Sequence, residues 1–377
     1  MPEIKSISYV KQITPSENNP RNSEGAFLDV TLGGRPAILF VYTRFSGGSG
    51  DHASADLACL LSYDGGRSFE LPEGSDDGVI IRASEYGVDN IMSVSLIRFV
   101  SGDAGVFFLS KENTSFTIAH IRRFACDDDI LSGKGREIRV IPYIYPGYYV
   151  VNNDRLLQHG GKIYVPAALH RSVMRDGEML TEGRGVDYIF VSEDDGETWR
   201  EMPGNICLSD PYTSSGLQEP GLIDMPDGSL YCYMRTDIGM QYESFSSDGR
   251  YWTNPQRSRF TAPCSPLKIK RRPSDGKYFA VWNPYGGAGA PQLIDVDDKN
   301  RDRDAHTSWQ RTPLVMAVSG NCADWSRPEI IDDDPKRGYC YPAIHFVGDD
   351  AVLLSYCSGG PDDGHVLCRT TIARIEL

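Results

Sequence analysis

The chain has 377 residues, of which 40% are hydrophobic, 24% charged and 10% aromatic, and this composition excludes disorder for most of its length. Its 38 Lys and Arg residues are outnumbered by 52 Asp and Glu, and the net charge of -14 argues against a nucleic-acid or anionic-membrane partner. No apolar run approaches the roughly 18 residues that span a bilayer, and the first residues contain no apolar signal core. We therefore expect a cytoplasmic protein, or a secreted one if a signal has been removed.

The nine cysteines are odd in number and form no C-x-x-C pair. Several lie inside apolar runs, as Cys232, Cys340 and Cys357 do. This usage predicts reduced cysteines in the core, with no disulfide framework and no zinc site.

A β-hairpin pattern recurs six times along the chain. Each copy has a turn with Gly or Asp followed by a short apolar run rich in β-forming residues, and another strand-like run precedes most of these turns. In chain order the runs are RPAILFVYT from Arg35, AGVFFLS from Ala104, GKIYVPAAL from Gly161, GSLYCYM from Gly228, GKYFAVW from Gly276 and DAVLLSY from Asp350. Regular recurrence of one unit is the signature of a repeat architecture.

A second motif lies between hairpins and fits the pattern S-x-D-x-G-x-T-W. The copies are SEDDGETW (192–199), SYDGGRSF (62–69), and two shorter versions, SSDGRYW (246–252) and SGNCADW (319–325). Asp and Gly form a tight turn, Ser bonds locally and the aromatic residue packs beneath it. We expect this turn to join the two outer strands of each repeated unit.

Long helical periodicity is nearly absent. The chain is therefore predicted to be an all-β, six-bladed β-propeller with four-stranded antiparallel blades, forming a single domain over residues 1–377. A pair of β-sandwiches or a β-solenoid is the alternative, but sandwiches do not repeat an Asp turn at blade spacing.

Hairpin geometry also predicts which face carries function. The first strand of an antiparallel hairpin begins at the edge where the second strand ends, so residues at these two places meet. The residues predicted at this edge are Arg21, Glu24 and Arg44 in the first unit, Asn152, Asn153, Asp154, Arg155, His170 and Arg171 in the third, Glu219 and Arg235 in the fourth, Ser265, Asn283 and Arg311 in the fifth, and Tyr339 and Tyr341 in the sixth. The loop after the first hairpin adds Asp51, His52 and Asp56.

Several arginines that converge on one edge of an acidic protein indicate an anionic ligand held by guanidinium groups. For any single Arg, a pairing with a nearby carboxylate explains the residue as well. The opposite edge has only short polar turns such as LGGR and PDGS.

These motifs resemble the sialidase superfamily, whose six-bladed propellers carry Asp-box motifs like those above. The segments EPGLIDMPDGSLYCYMR and YCYPAIHFVGDDAVLLSYC look like the family's Glu–Arg hairpin and its closing blade with the tyrosine nucleophile. The resemblance covers about residues 21–358 and implies a retaining exo-glycosidase that hydrolyses a terminal acidic sugar, sialic acid or a related 2-keto sugar acid, without a metal or cofactor.

The resemblance also implies roles for individual residues. Tyr341 matches the nucleophile with Glu219 as its partner, while Tyr339, two positions earlier, is the rival nucleophile because strand alternation puts both rings on one face. Arg235 and Arg311 match two members of an arginine triad that grips the sugar carboxylate. The family's R-I-P segment is missing, so Arg21 is the expected third arginine, with Arg44 in reserve.

Asp51 matches the family's acid/base by position, and Asp56 and His52 remain open for this role. Arg155, Asn153, His52 and Tyr339 are further candidates for contacts with the substrate. A neutral tyrosine suits attack at a carbon that bears a carboxylate, because a carboxylate nucleophile would be repelled there.

Two other functions stay open on the sequence. The protein could be a lyase or hydrolase for another uronic or sugar acid, as the missing R-I-P segment and the unusual RNSEGAF and GDHASAD runs allow. It could also be a non-catalytic propeller that binds glycans.

Overall fold

The structure, a computed structural model, describes residues 4–141, 147–284 and 311–377. Within these ranges the strands form six antiparallel sheets that follow one another along the chain. The prediction of an all-β, six-bladed propeller is therefore confirmed.

The first three blades are built from consecutive strands. Blade 1 contains β2 (Arg21–Leu32), β3 (Arg35–Phe45), β4 (Ala55–Ser62) and β5 (Val79–Ile81). Blade 2 contains β6 (Ile91–Arg98), β7 (Ala104–Asn113), β8 (Phe116–Phe124) and β9 (Arg136–Arg139). Blade 3 contains β10 (Tyr148–Val150), β11 (Leu157–His159), β12 (Lys162–Arg175), β13 (Glu178–Ser192) and β14 (Arg200–Glu201), with β10 and β11 both paired to β12.

The remaining blades repeat this order, and the last one closes the ring. Blade 4 contains β15 (Gln218–Asp224), β16 (Leu230–Arg235), β17 (Met240–Ser246) and β18 (Gln256–Thr261). Blade 5 contains β19 (Lys268–Arg271), β20 (Tyr278–Trp282), β21 (Leu314–Ser319) and β22 (Glu329–Asp332). Blade 6 contains β23 (Cys340–Val347), β24 (Ala351–Cys357) and β25 (Thr370–Glu376), and its fourth strand is β1 (Ser6–Ile13), which pairs with β25 and joins the start of the chain to its last blade.

Helical structure in the described ranges is limited to short segments. They are α1 (Asp128–Ser132) and 3₁₀ turns at Ala83–Tyr86 and Pro361–Asp363. None of the helices in the described part of the chain is long and apolar enough to cross a membrane.

The core lies between blades, which explains the nearly continuous apolar runs in the sequence. Successive side chains of a strand point to opposite faces, and in a propeller both faces meet a neighbouring blade. In β3, Leu39 and Val41 pack toward blade 2, whereas Ile38 and Phe40 pack toward blade 6. Similar buried clusters lie between the other neighbouring blades.

The Asp motif forms the predicted turn between the third and fourth strands of a blade. In the first copy, Asp64 accepts hydrogen bonds from the backbone and hydroxyl of Ser68, at 3.0 and 2.7 Å, and from the Ser62 hydroxyl at 2.8 Å. In the complete copy, Asp194 makes the same contacts with Thr198 and Ser192. The turn brings β4 back as β5 and β13 back as β14.

Candidate active site

Four inner strands begin with the same distortion. Glu24, Ser93, Glu219 and Tyr341 have left-handed backbone angles, with φ of 58°, 66°, 50° and 56°. Each lies at a register shift near the start of its strand, in blades 1, 2, 4 and 6. Such bulges redirect a side chain away from strand alternation, and residues held in this backbone region cluster at functional sites.

All four of these residues line one cavity of about 210 Å³ at the inner ends of the blades. The other residues that line it are Asp51, Met92, Leu109, Lys111, Tyr148, Tyr149, Val150, Asn152, His170, Gln218 and Arg235. The four bulges thus supply a tyrosine, two carboxyl groups and a serine to the same space, which identifies this cavity as the candidate site.

Tyr341, Glu219 and Arg235 form a connected group in the cavity wall. The Tyr341 hydroxyl donates a hydrogen bond to Glu219 Oε1 at 2.9 Å, and Arg235 Nη1 lies 2.8 Å from Glu219 Oε2. Arg235 Nη2 also donates to Gln218 Oε1 at 2.8 Å. Burial raises the pKa of Tyr341 well above its usual value, and the charge of Glu219 adds to this effect. The tyrosine is therefore neutral, with its proton already directed at a carboxylate.

Arg311 lies next to the ring of Tyr341. Its guanidinium carbon lies 5.8 Å from the centre of the Tyr341 ring, and its two terminal nitrogens donate to Cys340 Sγ at 3.2 Å and to the Cys264 carbonyl at 2.9 Å. The Nε atoms of Arg235 and Arg311 have no hydrogen-bond partner among the described residues. Arg235 lines the cavity, whereas Arg311 is not among the described residues that line it.

A further part of the cavity wall comes from blade 1, which packs against blade 6. Arg21 is 1% exposed and donates to Asp51 Oδ1 at 2.6 Å, to the Ser49 carbonyl at 3.1 Å and to the Ser23 hydroxyl at 3.1 Å. Its remaining Nη2 lies 3.4 Å from Glu24 Oε1. Its guanidinium is thus engaged by the protein itself, and Arg21 is not among the described residues that line the cavity.

The carboxyl groups of Glu24 and Asp51 differ in their environment. Burial raises the pKa of Glu24 to about 7, against the opposing effect of the Arg21 charge. Burial also acts to raise the pKa of Asp51, but the charge and hydrogen bond of Arg21 outweigh it, and the net pKa is lowered. Lys111 donates to the Asp51 carbonyl at 2.5 Å, and its own pKa is lowered by burial to about 8.

Tyr339 does not share the position of Tyr341, so the expectation that both rings lie on one strand face is wrong. Its side chain is fully buried in the cluster between blades 5 and 6, and its hydroxyl accepts a hydrogen bond from the Asp334 backbone at 3.1 Å. The register shift at Tyr341 between Cys340 and Ala343 breaks the alternation that the sequence pattern assumed.

Other predicted contacts lie beside the cavity or away from it. Arg155 is buried, and it donates to the Tyr233 hydroxyl and to the Leu267 carbonyl, both at 2.8 Å. Asn153 donates to the Tyr341 carbonyl at 3.2 Å and to the Gly25 carbonyl at 2.8 Å. Asn153 thus holds the backbone at Tyr341, whereas Arg155 holds core residues of blades 4 and 5, and neither residue is among the described residues that line the cavity.

The alternative candidates of blade 1, Arg44, His52 and Asp56, also lie outside the cavity wall. Arg44 sits on β3 opposite Asp56 of β4, and the Asp56 carboxylate accepts a hydrogen bond from the Ala83 backbone at 2.7 Å. His52 is exposed, with its ring centre 6.2 Å from that of Tyr148. None of the three is among the described residues of the cavity wall.

Sequence reasoning assigned no role to Glu24, Lys111 and Tyr148, which all line the cavity. For Lys111 a signal was present, because it ends the apolar run of β7 as Arg235 ends that of β16. The edge argument identifies Lys111 once it is applied to blade 2. Tyr148 follows a Pro-Gly pair and carries no comparable pattern.

The fold and this wall together define a sialidase-like Asp-box propeller. Residues 144–353, more than half of the chain, match the family model of the BNR repeat-like domain, and the chain belongs to this family. None of the curated proteins matches it.

Solved structures show the same fold at low sequence identity. A protein of unknown function from Dyadobacter fermentans is 14% identical, with a TM-score of 0.68, and the match covers 99% of this chain and 100% of that one. The Hadza microbial sialidase Hz136 is 14% identical with a TM-score of 0.66, over 96% of this chain and 66% of that one. Trypanosoma rangeli sialidase in complex with sialic acid is 15% identical with a TM-score of 0.64, over 98% of this chain and 59% of that one. This chain therefore spans less than two thirds of the length of either sialidase.

Proposed function

We propose that the protein is a retaining exo-glycosidase that hydrolyses a terminal 2-keto sugar acid, with Tyr341 as the nucleophile. The observation that carries this proposal is the hydrogen bond from the Tyr341 hydroxyl to Glu219, 2.9 Å long, in the wall of a cavity. A hydroxyl with a raised pKa is a weak nucleophile unless a base removes its proton as it attacks, and Glu219 is placed to do so.

Arg235 supports both partners of this pair. Its Nη1 lies 2.8 Å from Glu219 Oε2 and so helps to hold the Glu219 carboxyl group beside the Tyr341 hydroxyl. Its side chain lines the cavity, so its positive charge can attract the carboxylate of a substrate. Arg311, beside the Tyr341 ring, adds a second positive charge on the same side.

A sugar with a carboxylate on its anomeric carbon fits this wall. The carboxylate would lie against the arginines, and the anomeric carbon would then lie next to the neutral tyrosine oxygen. A neutral nucleophile avoids the repulsion that an Asp or Glu would meet at this carbon. Attack followed by hydrolysis of the tyrosyl adduct gives retention of configuration.

Two groups of residues in the cavity wall serve different steps of the reaction. Tyr341, Glu219 and Arg235 serve bond formation at the anomeric carbon. We assign protonation of the leaving group to one of the two carboxyl groups that blade 1 contributes to the cavity wall, Asp51 and Glu24. The resemblance to sialidases implies Asp51 for that step, with Asp56 and His52 as alternatives.

The test is release of fluorophore from a 4-methylumbelliferyl glycoside of sialic acid and of its deaminated 2-keto analogue. Wild-type protein should turn over at least one of them, and Tyr341→Phe should lose turnover while it remains folded. Glu70→Gln, at a side chain 77% exposed in the segment between β4 and β5, is the control and should keep full activity. Near-normal turnover by Tyr341→Phe would contradict the mechanism, and an unsaturated sugar product would indicate a lyase.

A further inference from the structure

Blade 1 contributes two carboxyl groups to the cavity wall, and they differ in how many of their oxygen atoms have partners in the protein. Asp51 accepts a 2.6 Å hydrogen bond from Arg21, and its side chain is 61% exposed at the mouth of the cavity. Glu24 is 6% exposed, its Oε1 lies 3.4 Å from Arg21, and its Oε2 has no hydrogen-bond partner among the described residues. Glu24 thus has an uncommitted oxygen in a buried position, whereas Asp51 is held as the counter-ion of Arg21.

The position of the Glu24 side chain is set by a bulge in the backbone and not by strand alternation. Its left-handed φ of 58° matches those of Glu219 and Tyr341, the pair that forms the proposed nucleophilic centre. Gly25 follows, and a Cβ at this position would come within 2.3 Å of the Phe40 ring. Glu24 and Gly25 therefore form a strained backbone bulge in blade 1, like the bulges at Glu219 and Tyr341, and this bulge fixes the direction of the Glu24 carboxyl group.

We infer that Glu24, rather than Asp51, is the acid/base residue of the site, an inference that rests on the proposed glycosidase function. In the first step the Tyr341 oxygen bonds to the anomeric carbon as its proton passes to Glu219. The bond from that carbon to the leaving oxygen breaks, and this oxygen takes the proton of Glu24. In the second step Glu24 removes a proton from water, the water oxygen bonds to the anomeric carbon, and Tyr341 leaves and recovers its proton from Glu219.

The charges around Glu24 suit this exchange. The ionisable groups that act on it or feel its charge come from several elements: Arg21 of β2, Asp51 of the loop after β3, Lys111 of β7, Tyr148 of β10, Glu219 of β15, Tyr341 of β23 and Cys357 of β24. Burial dominates over all of them and leaves the pKa of Glu24 at about 7, where one group can both give and accept a proton at neutral pH. Asp51, whose pKa is lowered, holds no proton to give there.

Asp51 then has a positioning role. Its carboxylate and its carbonyl hold Arg21 and Lys111, the two cations that flank Glu24. Loss of the Asp51 carboxylate should weaken substrate binding and change the charge balance of the cavity wall. It should not make kcat/KM depend on the leaving group of the glycoside.

The experiment compares Glu24→Gln with Asp51→Asn on two glycosides of the same 2-keto sugar acid, one with a nitrophenyl leaving group and one with an alkyl group. A good leaving group departs without protonation, so loss of the acid should reduce kcat/KM for the alkyl glycoside by about 10²–10⁴ and for the nitrophenyl glycoside far less. Glu24→Gln should show this pattern, with a burst of nitrophenol and acceleration by azide, which attacks the adduct without a base. Asp51→Asn should affect both glycosides to a similar degree.

A second readout is independent of turnover. The infrared carbonyl band of a protonated carboxylic acid should disappear from the wild type as pH rises through about 7, and this transition should be missing in Glu24→Gln but present in Asp51→Asn. The inference is overturned if Asp51→Asn shows the leaving-group dependence and azide acceleration, or if Glu24→Gln keeps the infrared transition. An active Tyr341→Phe would instead overturn the proposed function itself.

Discussion

Glu24 should make the protein less stable as pH rises, and Glu24→Gln should remove this effect. The pKa of Glu24 is raised by burial from 4.5 to about 7, so the folded state binds more protons than the unfolded state between these values. Below 4.5 the carboxyl group is protonated in both states and contributes no penalty. At about pH 8 it is ionised in both states, and because each pKa unit is worth about 1.4 kcal/mol, ionising the buried group costs about 3 kcal/mol.

The assay is urea unfolding of the wild type and Glu24→Gln at intervals from about pH 4 to about pH 8, with the difference in unfolding free energy plotted against pH. The variant should gain about 3 kcal/mol relative to the wild type across this range, with most of the change between 4.5 and about 7. Glu70→Gln, at an exposed position between β4 and β5, should give a flat difference. A flat difference for Glu24→Gln, or a wild type that becomes relatively more stable as pH rises, would refute the account of a carboxyl group held neutral by burial.

The other predictions concern the supports of the site. Arg235→Ala leaves Glu219 buried without its counter-ion and should cost about 3–5 kcal/mol of stability in urea unfolding; an unchanged unfolding midpoint would contradict the pairing. Tyr339→Phe should keep wild-type turnover and lose about 1–3 kcal/mol of stability, because its hydroxyl accepts a hydrogen bond from the Asp334 backbone and also bonds to the Asp332 carboxylate; loss of activity in a folded Tyr339→Phe would restore Tyr339 as the nucleophile. Gly25→Ala places a methyl group against the Phe40 ring and should lower stability by about 1–3 kcal/mol, whereas no change in melting temperature would show that the bulge tolerates a side chain.

The fold could be predicted from the sequence because its determinants are local and repeated. An apolar run after a Gly or Asp turn indicates each hairpin. The residues that form each Asp turn lie within eight positions of one another, as in Ser192 to Trp199. The closing of the ring by β1 is less visible, because its pairing with β25 joins residues at opposite ends of the chain.

The candidate site was predictable in part. The rule that hairpin edges meet brought Glu219 and Arg235 together correctly, and the sixth hairpin supplied Tyr341. The rule could not choose between Tyr341 and Tyr339, since the choice depends on a bulge that breaks alternation.

The roles of the arginines were beyond the sequence for a different reason. Arg21, Arg155 and Arg235 look alike in a strand pattern, and only their partners in space distinguish them. Arg21 is engaged by Asp51, which lies in a loop 30 positions later, and Arg155 is engaged by Tyr233, 78 positions later. Both partners lie far along the chain from the arginine, so the folded structure and not the local sequence pattern fixes these contacts.

The most direct test of the central claim is mass spectrometry of the protein after incubation with a 2,3-difluoro derivative of a 2-keto sugar acid, followed by peptide mapping. Fluorine at these positions slows breakdown of a glycosyl adduct, so a covalent intermediate should accumulate. The account predicts one added sugar per chain, attached to Tyr341 and lost in Tyr341→Phe. An adduct on another residue, or turnover of the parent glycoside with no adduct on Tyr341, would contradict it.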